Sequence, residues 1–159
     1  MTTSFEPLED ASGFVLSDQG RADLLASQLD CTFCWTNRDG HPIGITQAFV
    51  YRNGEFWMLS DAPRVRVRAV RRDQRTSLVV AAGPKSLSYK GRTEVIDDPE
   101  VVHRVLWEIV RRYDPDDEQA QQAHFAASDT PQRVVLRFIP EKTTNAFDGD
   151  LARSGKPFE

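Results

Sequence analysis

No stretch of this chain is apolar enough to cross a bilayer as a helix. Its longest uninterrupted hydrophobic run is Leu78-Val79-Val80-Ala81-Ala82, against the ~20 residues that a span requires. No basic segment followed by an apolar one opens the sequence, so no export signal is expected and a cytoplasmic location is. Histidine is scarce too. His41, His103 and His124 lie in a turn and on two expected helices, far apart in sequence. Without a cluster of ligating side chains no metal is expected. No Ser-His-Asp signature or Gly-x-Ser-x-Gly elbow is present, and no residue stands out as a catalytic acid or base.

Cysteine is limited to Cys31 and Cys34, which form a Cys-x-x-Cys. Such a pair can be a redox couple or half of a zinc site. The intervening and following residues, Thr32-Phe33-Cys34-Trp35-Thr36, are β-branched or aromatic and read as a strand. Residues three apart on a strand face opposite sides, so the sulfurs diverge. Two reduced cysteines are expected.

What the chain does have is a concentrated positive charge. Its 159 residues carry a net charge of −4, yet residues 61–75 hold six arginines and two aspartates, a local +4 against −8 elsewhere. The segment reads Ser60-Asp61-Ala62-Pro63-Arg64-Val65-Arg66-Val67-Arg68-Ala69-Val70-Arg71-Arg72 and passes from a strand-like run into a helix. A helix N-terminus offers unpaired N–H groups and partial positive charge, and guanidinium forks add charge-assisted hydrogen bonds. A discrete anion such as a phosphate fits this arrangement. Arg64, Arg68, Arg71 and Arg75 also keep helical spacing, so part of the cluster reads equally as a solvated face. A nucleic-acid or general anion-binding module is the competing class. It would interleave aromatic or base-reading side chains with the arginines, whereas the residues between them are Val65, Val67, Ala69 and Val70. The acidic balance also argues against nucleic acid as a partner.

Along the chain, residues 1–16 read as a polar arm, 17–140 as a single domain and 141–159 as a tail. Ser17 is a candidate N-cap for a short helix whose Ala22, Leu25 and Leu29 share a face. Residues 31–37, 43–52, 55–60, 77–82, 87–96 and 133–140 are rich in Val, Ile, Thr and aromatics and read as strands. Asp39-Gly40 and Asn53-Gly54 are tight-turn pairs between the first three. Asp98 and Pro99 open a long helix through Tyr113 with a wide apolar stripe, and Glu100–Arg104 and Glu108–Arg112 are expected as i,i+4 pairs on its exposed side. A further helix is expected near 116–127. The fold class is mainly β, a Greek-key barrel with flanking helices. The stripe exceeds what one small barrel needs and carries Trp107, which points to a homodimer.

These elements, in this order, resemble the split β-barrel (FMN-binding-protein-like) of the pyridoxamine 5′-phosphate oxidase-like superfamily, which includes flavin-mononucleotide enzymes and deazaflavin-dependent reductases of actinobacteria. Asp39-Gly40-His41-Pro42 with Ile45-Thr46-Gln47 is similar to its Asp-Gly-x-Pro turn and the strand lining the flavin ring. Ser60, Arg66 and the run Arg68, Val70, Arg72, Asp73, Arg75, Ser77, Leu78 are similar to its phosphate segment. Tyr89-Lys90-Gly91-Arg92-Thr93-Glu94-Val95 resembles its Gly-x-Ala-x-Val strand. Arg66, Ala69 and Gln74 stand where the family usually has lysine, asparagine and proline. The likeness spans residues 17–140.

The resemblance implies hydride transfer on a small molecule, with FMN or an F420-type deazaflavin coenzyme as cofactor, the deazaflavin favoured by the Val-Ile-Asp-Asp-Pro helix entry. It implies that Ser60, Arg66 and Arg68 hold the phosphate, that Thr46 and Gln47 bond the ring system, that Ser88 or Tyr89 lies at its edge, and that two protomers share the site. A family member that binds a flavin or another planar ligand without turnover is the alternative.

Overall fold

Two tight turns set up the first half of the sheet. At Asn53-Gly54 both residues have positive φ, 53° and 81°, the requirement of a two-residue hairpin whose twist matches its strands. Gly40, at φ 83°, turns the preceding hairpin. The computed structural model describes residues 12–154. Its elements are α1 (Asp18–Ser27), β1 (Asp30–Thr36), β2 (Pro42–Arg52), β3 (Glu55–Asp61), α2 (Val65–Arg72), β4 (Arg75–Ala82), β5 (Lys85–Ile96), α3 (Pro99–Tyr113), α4 (Glu118–Ser128), β6 (Arg133–Asp148) and α5 (Gly149–Ser154). The strands form a closed antiparallel barrel in the order β1-β2-β3-β6-β5-β4, with β4 pairing back onto β1. The expected mainly-β split barrel with flanking helices is the observed fold. Most of the expected 1–16 arm, residues 1–11, lies outside the described residues.

Strand alternation fills the barrel. Phe33, Phe49, Phe56, Met58, Leu78, Val80, Leu87, Leu136 and Phe138 point inward and are essentially inaccessible. Each contributes ~1.5–3 kcal/mol by leaving water. Val67, Ala69 and Val70 of α2 join the same cluster. Ser17 caps α1 by accepting from the N–H of Gly20 at 3.0 Å. The helix buries Leu24 and Leu25, not the Ala22–Leu25–Leu29 face, because the chain turns extended at Gln28 and the Leu29 carbonyl accepts from the Phe49 N–H.

Helix α3 begins as its cap predicts, with the Asp98 carboxylate accepting from the N–H groups of Glu100 and Val101. Its Val102, Val105, Leu106, Ile109 and Val110 pack on Val50, Leu59 and Val135, on the outer face of β2, β3 and β6. The remaining stripe is covered within the chain: Trp107 stacks on Phe125 of α4 at 4.3 Å. Glu108 and Arg112 do not pair with each other. Glu108 pairs with Arg52, while Arg112 donates to the carbonyls of Phe49, Ala26 and Gln28. Unsatisfied carbonyls where α1 ends hold a guanidinium more firmly than an exposed i,i+4 carboxylate does.

Strand β6 continues past Pro140 to Asp148, so residues 141–148 belong to the sheet, paired with β5. Proline is tolerated because it sits opposite Gly91 at a register shift, where the ladder is already interrupted. Gly91 is needed there: a Cβ would lie 2.2 Å from the Ile139 carbonyl oxygen. Cys31 and Cys34 are free, one buried and one half-buried on opposite faces of β1. Among the described residues no helix is long and apolar enough to cross a membrane.

Candidate functional site

Ser60 ends the inward series Phe56, Met58, Ser60 on β3 and is 1% exposed. Its Oγ has no hydrogen-bond partner among the described residues. Three residues intervene before Arg64, which N-caps α2 without a side-chain hydrogen bond. The sequence places a hydroxyl and arginines at a helix start; in the structure the hydroxyl closes the strand and the arginines open the helix. Arg66 is half-buried, and its Nε is buried without a partner among the described residues. Burial is the main cause that lowers the Arg66 pKa; Arg64 and Arg133 act in the same direction and Asp61 opposes them. Asp61 itself is engaged by Arg133 at 3.3 Å, Arg64 at 3.8 Å and the Thr130 hydroxyl at 3.2 Å. A buried polar group left unpaired costs ~1–3 kcal/mol. The two residues flank the passage from β3 into α2, whose start has no side-chain cap, and an oxyanion reaching both atoms would satisfy them. The other two such atoms among the described residues are the indole nitrogens of Trp35 and Trp57, on separate strands.

Beside this passage the barrel splits. β2 pairs with β3 from Arg52↔Glu55 only as far as Phe49↔Met58. Beyond that, β2 follows β1 and β3 follows β6. The Gln47 side chain bridges the gap, its Nε2 donating to the Leu59 carbonyl at 2.9 Å. Thr46 and Ser60 each adjoin one end of that bond. Thr46 faces the opposite side from Gln47, on the outer surface, and is exposed. From there the register runs Thr46↔Thr32, Thr32↔Val79 and Val79↔Ser88. These four residues form one row across four strands, roughly 14 Å long at the usual strand spacing. Helix α3 lies over β2, β3 and β6 and leaves this row open. It contains neither a carboxylate nor a histidine.

Ser88 lies in the row and exchanges a 2.9 Å hydrogen bond with Thr144. Tyr89 faces inward, its ring 5.4 Å from Phe56, and burial, with Tyr51 adding to it, pushes its hydroxyl up to about 12. Ser88 and Tyr89 therefore serve different sides of the sheet. Arg68 follows Arg66 by two residues, about 200° around the helix, and lines a cavity of about 300 Å³ with Asn37, Arg38, Val65, Ala69 and Arg72. It therefore points to a different side of α2 from Arg66. Arg75 is not on the helix at all; it begins β4 and pairs with Asp73 at 2.7 Å. Sequence reasoning missed Thr32 and Val79, which only the register aligns, and Asn37 and Arg38, which the β1–β2 hairpin carries to α2.

With this geometry in hand, comparison with known proteins is decisive at the family level. Residues 19–146 match the family description pyridoxamine 5′-phosphate oxidase. The chain belongs to this family. No curated protein matches the sequence. Among solved structures, the pyridoxamine 5′-phosphate oxidase fold seen here is similar to conserved hypothetical protein Rv2991 from Mycobacterium tuberculosis, at 23% identity over 96% of each chain with a TM-score of 0.78. It is similar to an F420 reductase at 17% identity, covering 77% of this chain and 94% of that one, TM-score 0.63. It also resembles a FAD-binding protein from Mesorhizobium loti at 19% identity, covering 81% and 93%, TM-score 0.59. These likenesses, all under 25% identity, establish a shared fold.

Proposed function

We propose that the protein is a flavin- or deazaflavin-dependent oxidoreductase that moves a hydride to or from a small molecule. The observation that carries this reading is the pair of buried, unpartnered polar atoms, Ser60 Oγ at the end of β3 and Arg66 Nε in the uncapped first turn of α2. That donor set fits the phosphate of a flavin-type cofactor. Family membership supports a cofactor of this class, as do an F420 reductase and a FAD-binding protein among the structural relatives. When bound, the cofactor supplies the hydride chemistry.

The chain's own residues bind and orient. Ser60 and Arg66 hold the phosphate. Thr46 offers a hydroxyl to the ring system at one end of the open row, and Ser88 does so at the other. Gln47 acts through its bond to the Leu59 carbonyl, tying together the strands that carry Thr46 and Ser60 where their ladder ends. Tyr89 fixes the wall behind Ser88 by packing on Phe56. With no acid or base in the row, proton transfers fall to substrate or solvent. The open outer face favours a second copy of the chain as the other wall of the site, a homodimer.

A planar-ligand binder without turnover is the second reading. Ala69, where the family usually has asparagine, is 3% exposed and packed into the barrel core, so a polar contact common in relatives is missing. The visible spectrum of purified protein, followed by titration with FMN and with the F420-type coenzyme, tests the proposal. Saturable binding of at least one is expected, the deazaflavin ahead, and a ligand at 100 times its Kd stabilises the fold by ~2.7 kcal/mol. Binding without reduction of the bound cofactor by any hydride donor supports the second reading. No spectral change and no thermal shift with either compound overturns both.

A further inference from the structure

We infer that the cavity between α2 and the β1–β2 hairpin is a second anion site, formed by Arg38, Arg68 and Arg72 with Asn37, for a compact oxyanion carrying phosphate or carboxylate groups. The cavity measures about 300 Å³, room for a small oxyanion and several waters. Among the described residues, three guanidiniums line it and no carboxylate does. The two aspartates of the basic segment are committed elsewhere, Asp61 to Arg64 and Arg133 and Asp73 to Arg75. Among the described residues, Arg38 and Arg68 have neither an ion pair nor a side-chain hydrogen bond. Arg72 is held in place by donating to the Thr36 carbonyl at 2.8 Å, which fixes one guanidinium against the hairpin.

Asn37 completes a lining that can only donate. Its Oδ1 already accepts from the N–H groups of Asp39 and His41, both at 2.9 Å, which leaves the amide NH2 as its free function. Val65 and Ala69 supply apolar wall. Donor groups with no free side-chain acceptor among the described lining residues select an anion, and the planar forks match phosphate or carboxylate oxygens. Holding like charges together without a counter-ion is unfavourable, and a bound oxyanion relieves it. The site faces away from Ser60 and Arg66 around α2 and does not depend on the cofactor reading.

The test is an amide-resolved NMR titration of the full chain with inorganic phosphate, and separately with citrate, at constant ionic strength. Wild-type protein is expected to show saturable shifts at Asn37, Arg38 and Arg68, distinct from any set at Ser60 and Arg66. Arg38→Gln and Arg68→Gln, both exposed and without partners, should keep the fold and weaken the hairpin set about tenfold or more. Arg66→Gln should leave that set unchanged. Arg71→Gln, on the same helix but outside the cavity, should change it less than about twofold. Phosphate and citrate together separate a site for any compact oxyanion from one selective for either group. Equal losses for Arg71→Gln and Arg68→Gln, or no saturation with either probe, would overturn the inference and leave only a diffuse basic surface. Loss of the Ser60–Arg66 set alone counts against the cofactor reading and leaves the second site standing.

Discussion

At the scale of single residues, neighbours in sequence divide into different jobs because strand and helix periods separate them. Thr46 and Gln47 face opposite sides of β2, as do Ser88 and Tyr89 on β5, and Arg66 and Arg68 diverge around α2. Tyr89 carries a pH signature of its side. Burial raises its folded pKa from 10.0 to about 12, so between these values the unfolded chain has lost a proton that the folded chain keeps. Stability is then lost as pH rises through that window. Tyr89→Phe should flatten this part of a stability–pH curve measured by urea unfolding; an unchanged slope from pH 10 to 12 would place the titration elsewhere. That Ser60 and Arg66 bracket a strand-to-helix passage was legible from residue types. The Arg38 cavity was not, because nothing in a hairpin loop announces which helix it will meet. Nor was the bond from Gln47 to Leu59, which depends on where the β2–β3 ladder stops.

At the scale of elements, positions that sequence patterns treat as ordinary hold the barrel in shape. Hairpins, caps and the α3 stripe were readable because turn glycines, Asp98-Pro99 and the 3.6-residue period act locally. The length of β6 was not: Pro140 reads as a strand end unless Gly91 opposite is known to open the ladder. Gly91→Ala would drive a methyl against the Ile139 carbonyl oxygen, 2.2 Å away. A loss of ~1–3 kcal/mol or more is expected in urea unfolding, and a loss below ~0.5 kcal/mol would mean that the β5–β6 crossing yields easily. Arg112 ties the end of α3 to three carbonyls of α1 and β2. Arg112→Ala should cost ~2–3 kcal/mol, since charge-assisted bonds are lost and carbonyls are left unpaired. A variant as stable as wild type would show that water replaces the guanidinium without penalty.

At the scale of the whole molecule, the apolar stripe that suggested a partner is largely consumed inside the chain, by the outer sheet face and by Phe125 of α4. The proposed dimer rests instead on the open row from Thr46 to Ser88, where a second protomer would close the site. Light scattering at micromolar concentration should return twice the chain mass of 18.0 kDa. A mass of one chain at every concentration would remove the shared-site arrangement and leave the row facing solvent.

The central claim is that Ser60 and Arg66 hold the cofactor phosphate at the start of α2, and two arginine variants measured side by side test it most directly. Arg66→Ala and Arg75→Ala are titrated with the bound cofactor at one ionic strength. Loss of a charge-assisted hydrogen bond worth ~1.5–3 kcal/mol should weaken Arg66→Ala by roughly 10- to 150-fold. Arg75, 89% exposed at its side chain and paired with Asp73, lies beyond the helix, and screening over ~8–10 Å should keep its effect within about twofold. Equal losses in the two variants would contradict the claim and return the segment to a general basic surface.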